Sequence, residues 1–213
     1  TILTLGNIPA EYQVTATCPT CRAEANTVTF RACGKLATDE FRQNSGSWAD
    51  VVLGTQPPHK LIRKVGCALT AVTNMINFYG AISTSIVRTD PFQLNRDMIQ
   101  RGGYDGNDDI NWARVINFAA QRLIYVGDAN IGPHTSRTDL IQQLDADLSN
   151  SHPVIIQGEH PPAGSRDWHF MLVVGKCGNQ YVVADPISPT GSRLYDPNEP
   201  QLPLRGIRRY ELR

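Results

Sequence analysis

Three short segments late in the chain limit its fold more than anything else: PVIIQ (153–157), FMLVV (170–174) and YVVA (181–184). Each is rich in β-branched or aromatic residues and each is bounded by Gly, Pro, Asn or Asp, the pattern of consecutive strands. CGNQ (177–180) joins the last two closely enough to read as a hairpin connection. Upstream the period changes. Leu69, Val72, Ile76 and Tyr79 recur at three- and four-residue spacing with Met75 beside them, which predicts a helix over 67–79 stopped by Gly80. A second helix is expected over 110–121, with Ile110, Val115, Ile116 and Ala119 toward the core and DGNDD (105–109) supplying capping oxygens. A third is expected over 139–148, burying Leu140, Ile141, Leu144 and Leu148, with Thr138 as its cap. Helices first and an antiparallel sheet afterwards give an α+β fold, not a doubly wound one.

Residues 1–37 read differently. Their β-prone stretches, 12–17 and 27–31, surround CPTC (18–21), so a small β-rich appendage is expected there, with the main domain over 38–213. Charge excludes some functions. Twenty basic and twenty acidic side chains balance to zero, and the arginines are scattered apart from Arg205, Arg208, Arg209 and Arg213. That is not the concentrated basic footprint of a nucleic-acid binder. No apolar run approaches the roughly 20 residues of a membrane span. No signal-peptide pattern opens the chain, but it begins at Thr1 and not at Met, so this decides nothing.

The chemistry centres on Cys67, at the predicted start of the first helix, where unpaired N–H groups gather and favour a thiolate over a thiol. Gly66 before it permits a tight approach. His169 opens the FMLVV strand after a polar turn, and an imidazole there can take a thiol proton and return it to a leaving group. Asp185 closes the next strand before Pro186. In an antiparallel hairpin, a strand start and the following strand's end return side by side, which would let Asp185 orient His169. His160, in GEHPPAG, is the rival base, held only by a proline-rich loop. An oxyanion needs donors: the Cys67 N–H is one, and Gln43 is the side-chain candidate. Trp48 and Trp168 flank these residues as cleft walls or core.

In order along the chain, Gln43, Trp48-Ala49, Gly66-Cys67 with Thr70, Tyr79-Gly80, His169 and Asp185-Pro186 resemble the C39-like cysteine peptidases of the papain-like superfamily. The Gly-rich stretch leading into a Trp-bearing helix, GGYDGNDDINWARVINFAAQ, is similar to that family's middle region, and the resemblance runs from about residue 40 to 190. It implies a papain-like fold with N-terminal helices packed on a C-terminal antiparallel sheet. It also implies Cys67 as nucleophile, His169 as general base and acid, Asp185 as its orienter and Gln43 in the oxyanion hole, with no cofactor for catalysis. Family members include leader-trimming enzymes and modules of cell-wall-degrading or secreted bacterial and phage proteins. The absence of a transporter segment and the cysteine-bearing appendage favour a peptide substrate of the peptidoglycan stem-peptide kind and an extracellular or virion-associated setting. Transglutaminase- or deamidase-type acyl transfer uses the same groups. A catalytically silent structural or binding module is the non-enzymatic alternative.

The remaining four of five cysteines stay open. Cys18, Cys21 and Cys33 form a C-x2-C-x11-C pattern suited to a structural zinc site, which Cys177 could complete. The same cysteines equally suit a Cys18–Cys21 or Cys18–Cys33 disulfide, or free thiols. Residues 1–37 could also engage a protein partner.

Overall fold

The computed structural model describes residues 10–16, 26–162, 164 and 167–213. β1 (Ala10–Ala16) and β2 (Asn26–Ala32) pair as an antiparallel ribbon, Ala10 opposite Ala32. The expected β-prone stretches overlap it, while CPTC lies outside the described residues. The chain continues through β3 (Gly34–Lys35), the single turn α1 (Ile62–Val65), α2 (Cys67–Ile82), α3 (Pro91–Arg101), a 3-10 helix (Trp112–Phe118), β4 (Leu123–Asn130) and α4 (Arg137–Ser149). It ends in β5 (Val154–Glu159), β6 (Trp168–Cys177), β7 (Gln180–Ala184), β8 (Ser192–Tyr195) and β9 (Leu204–Leu212). These strands and β4 form an antiparallel sheet in the order β4–β9–β5–β6–β7–β8, and β3 pairs with β6 just past the start of β5.

The three apolar segments are runs, not alternations, because both faces of the sheet are covered. Ile155, Leu172, Val174 and Val182 pack with Leu69, Val72, Met75 and Ile76 of α2. Their neighbours in the strands, Val154, Ile156, Met171, Val173 and Val183, pack on the other face with Leu140 and Leu144 of α4. Every residue of β5 is buried. At roughly 1.5–3 kcal/mol for each large side chain removed from water, this double layer is the main source of the fold's stability. The fold is the expected α+β arrangement, with α4 on the face opposite α2.

Several local expectations are corrected. α2 runs past Gly80 to Ile82, and Ser83 caps it. The predicted second α-helix is a short 3-10 helix. Its residues include Trp112, Val115, Ile116 and Phe118, which lose side-chain freedom in a helix, and the left-handed Ala120 and Gln121 turn the chain away. Its cap is Asn111. The Asp108 carboxylate instead accepts from the N–H groups of Thr55 and Gln56. α4 is capped by Ser136 in a capping box with Asp139, not by Thr138.

Cys33 is bonded to Cys177, across a sequence separation of 144 residues. A disulfide sulfur is not a thiolate ligand, so the expected zinc trio of Cys18, Cys21 and Cys33 loses a member, and Cys177 is no longer available to complete it. The expected Cys18–Cys33 disulfide is excluded on the same ground. Cys18 and Cys21 lie outside the described residues. Among the described residues no group of three His, Cys, Asp or Glu could hold a metal ion, and no helix is long and apolar enough to cross a membrane.

Candidate active site

Cys67 is the first residue of α2, and Gly66 at the N-cap makes no side-chain capping bond. α1 and α2 come close to being one helix, and Gly66 is where they part. A Cβ on it would lie 2.6 Å from the Ile62 carbonyl oxygen, so the junction packs too tightly for a side chain. In an unbroken helix the Cys67 N–H would donate to the Arg63 carbonyl, four residues back. No such bond forms, and that carbonyl instead accepts from Gln43 Nε2 at 3.0 Å. Gln43 is also held at its backbone, its N–H donating to the Pro186 carbonyl at 2.9 Å. The buried amide therefore straps the turn before Cys67 to the turn after Asp185, and its Oε1 has no hydrogen-bond partner among the described residues.

His169 is the second residue of β6, opposite Gly158 of β5, and is 4% exposed. Its Nε2 lies 2.7 Å from Asp185 Oδ1. The other ring nitrogen is not used by Asp185, and Cys67 lies close enough to help raise the His169 pKa. Cys67 is 9% exposed, and its Sγ stands 3.9 Å from the Trp168 carbonyl oxygen. Asp185 is 2% exposed and directly follows β7. Its Oδ1 also accepts from the Ile187 N–H at 3.1 Å, and its Oδ2 from Arg193 Nε at 2.6 Å.

The electrostatics follow from these contacts. Burial alone works against a charged imidazole, but the hydrogen bond to Asp185, the hydrogen bond to Cys67 and the charges of both outweigh it. The His169 pKa is raised to about 9. Burial likewise disfavours an ionised Asp185, and His169, Arg193 and the Ile187 N–H override it, bringing the carboxyl down to about 2. The site thus favours an imidazolium held against an ionised Asp185.

All four sequence-predicted residues fall in this neighbourhood: His169 bonded to Asp185, Cys67 against the Trp168 carbonyl next to His169, and Gln43 strapped beside them. His160 packs near His169, with ring centroids 6.2 Å apart, but His169 is the one bonded to Asp185. Trp48 is not a cleft wall: its Nε1 donates to the Arg42 carbonyl and its ring packs edge-on to Phe41, which shapes the Gln43 loop. Arg193 was not foreseen. It sits in β8 opposite Val183, two residues before Asp185, so hairpin register counted onward from YVVADP would have placed a side chain there, though not identified its role.

An antiparallel sheet carrying a cysteine-headed helix on one face and a strand-borne His–Asp pair at its edge is the architecture of papain-like peptidases. The chain belongs to the Peptidase_C39 like family, whose model matches residues 42–206. The fold is similar to the crystal structure of a candidate C39-like peptidase from Bacillus anthracis, with a TM-score of 0.50 and 12% identity, over 81% of this chain and 94% of that one. A comparison with curated proteins finds no match. Family and fold together support a peptidase acting on peptide substrates.

Proposed function

We propose that the protein is a cysteine peptidase that cleaves amide bonds through Cys67, His169, Asp185 and Gln43. The observation that carries this reading is the buried line from Cys67 through His169 to Asp185, with Nε2 of the imidazole 2.7 Å from the carboxylate. The Cys67 thiolate attacks the scissile carbonyl. The oxyanion that forms is met by the Cys67 N–H, released from helical bonding, and by the second N–H of Gln43 Nε2. The His169 imidazolium gives its proton to the departing amine, leaving a thioester. Neutral His169 then takes a proton from water as the oxygen attacks, and collapse frees the carboxylic acid and regenerates the thiolate–imidazolium pair. Asp185 stays ionised throughout and holds the ring in place.

The substrate we favour is a peptidoglycan stem peptide or cross-bridge, outside the cell or on a virion. The Cys33–Cys177 disulfide supports that setting, since such bonds persist in oxidising compartments. The test is incubation of the protein and its Cys67→Ala variant with purified peptidoglycan and with a mixed peptide pool, with and without added hydroxylamine, followed by mass spectrometry. Expected are hydrolysis products that depend on Cys67, with hydroxamates forming only as a side product. Products unchanged by Cys67→Ala would overturn the mechanism. Products that appear only when the amine is present would instead assign acyl transfer.

A further inference from the structure

A cavity of about 500 Å³ lies where β4, β5 and β9 meet the start of β6, lined by Asn130, Gln157, Glu159, Trp168, Arg205 and Arg208 among others. Trp168 is the wall it shares with the candidate active site. Its indole lines the cavity, its carbonyl faces the Cys67 sulfur and the next residue is His169. A group bound in the cavity would therefore belong to a substrate lying across the site.

The charges in the cavity are unequal. Arg205 Nε forms an ion pair with Glu159 Oε2 at 2.9 Å, although without hydrogen-bond geometry, and Glu159 Oε1 accepts from the Gly164 N–H at 2.6 Å, so that carboxylate is committed. Arg208 is 6% exposed, and among the described residues its hydrogen bonds go to neutral oxygens. Nη1 donates to Asn130 Oδ1 and to the Ile207 carbonyl, each at 3.0 Å, and Nη2 donates to Gln157 Oε1 at 2.7 Å. Nε has no partner. Of the five N–H donors of a guanidinium, those left over are on Nε and Nη2, the edge that grips a carboxylate with two parallel bonds. The neighbouring acid, Asp128, acts on Arg208 only through its charge, its oxygens being bonded to Tyr125 and Asn130. Trp112 and Phe170 stack near the guanidinium and offer no counter-charge, with centroids 5.2 and 6.0 Å away. The backbone is shaped for this arrangement: a Cβ on Gly206 would lie 2.2 Å from Asn130 Oδ1 and 3.0 Å from Arg208 Nη1. A buried cation held only by neutral oxygens is costly unless an anion completes it.

We propose that this cavity is a substrate subsite for a carboxylate, gripped by Arg208 with Asn130 and Gln157 fixing the plane of its guanidinium. This rests on the peptidase reading and narrows it to peptides that carry a free carboxylate close to the cleaved bond, either an acidic side chain or a chain end. Stem peptides have that chemistry.

The test uses hexapeptide pools. In one pair of pools, blocked at both ends, a single position is Glu or its neutral match Gln. In the other, the chain end is the free acid or its amide. Each is titrated into the Cys67→Ala protein and followed by calorimetry. One acidic pool is expected to bind about tenfold or more tighter than its neutral match, the range of a charge-assisted bond. Which pair shows the preference assigns the carboxylate to a side chain or to the chain end. Arg208→Gln should erase the preference, and Arg208→Lys should keep part of it. Equal binding of acid and amide pools overturns the proposal, whether or not the Arg208 variants fold, as does a preference that survives Arg208→Gln. The wild-type protein is incubated with the same pools. Cleavage without acid preference overturns the subsite and leaves the peptidase reading standing. Acid-selective binding without cleavage does the reverse.

Discussion

Arg193 Nε stands 2.6 Å from Asp185 Oδ2, while the other oxygen of the same carboxylate takes His169 at 2.7 Å. The carboxylate is gripped on both sides, so its plane, and with it the tilt of the imidazole, is fixed from outside the Cys–His pair. Arg193 is in turn held by Glu199 at 3.3 Å. The grip comes from β8, an edge strand, whose register with β7 sets Arg193 beside Asp185.

Arg193→Met is therefore expected to lower kcat by about ten- to a hundredfold with little change in KM, the scale of a misplaced catalytic group. Arg193→Lys should recover part of the loss, because a charge returns without the fork. Steady-state kinetics on any cleaved peptide measures this. Wild-type kinetics in Arg193→Met would mean that the backbone alone orients Asp185.

The pH dependence has a definite sign. His169 is raised from 6.5 to about 9, so its proton-linked stabilisation is complete below about pH 6.5 and is lost as pH rises through 9. Asp185 is lowered from 3.8 to about 2, so its contribution is present above about pH 3.8 and lost as pH falls through 2. Urea unfolding of wild type and His169→Ala should show the largest difference near pH 5–6, shrinking by pH 10. Activity should fall on the alkaline side near pH 9, as the imidazolium that protonates the leaving amine disappears. A stability difference that stays flat from pH 5 to 10 would refute the ion-pair account.

The legible parts of this chain are those whose partners lie nearby or whose burial is complete. The α2 stripe and the runs in β5, β6 and β7 could be read because each strand is covered on both faces, and the His169–Asp185 meeting followed from one hairpin. α3 was missed although Asp90, Pro91 and Gly102 mark both of its ends; only Leu94 and Met98 are buried large apolar side chains in it, with Phe92 and Ile99 exposed, so no long apolar stripe announces it. β9 was hidden by its arginines. Arg209 forms a two-pronged pair with Asp147 of α4 at 2.6 and 2.7 Å, and Arg208 is met by Gln157 and Asn130. Partners 50 or more residues away leave no local pattern. The pairing of Cys33 with Cys177 was invisible for the same reason.

Gln43 is expected to matter in the transition state and little in substrate binding. One of its amide hydrogens is committed to the Arg63 carbonyl, which keeps the other in a fixed direction. Gln43→Ala should lower kcat about a hundredfold and leave KM within a few fold, the effect of losing one oxyanion donor. If kcat is unchanged, the amide only straps the two turns together, and a lowered unfolding midpoint would be its one consequence.

The disulfide ties the segment before β3 to the end of β6, beside the pairing of Gly34 with Lys176. Closing so long a loop restricts the unfolded chain, so Cys33→Ser is expected to cost roughly 2–4 kcal/mol in urea unfolding. Catalysis below the lowered unfolding midpoint should persist, because Cys67 is the free cysteine among the described residues and the bond joins Cys33 to Cys177 instead. Mild reduction should reproduce the loss of stability in the wild-type protein and do nothing further to Cys33→Ser. If stability is the same with and without the bond, residues 34–35 are held by their ladder on β6 alone, and the disulfide records the compartment instead of supporting the fold.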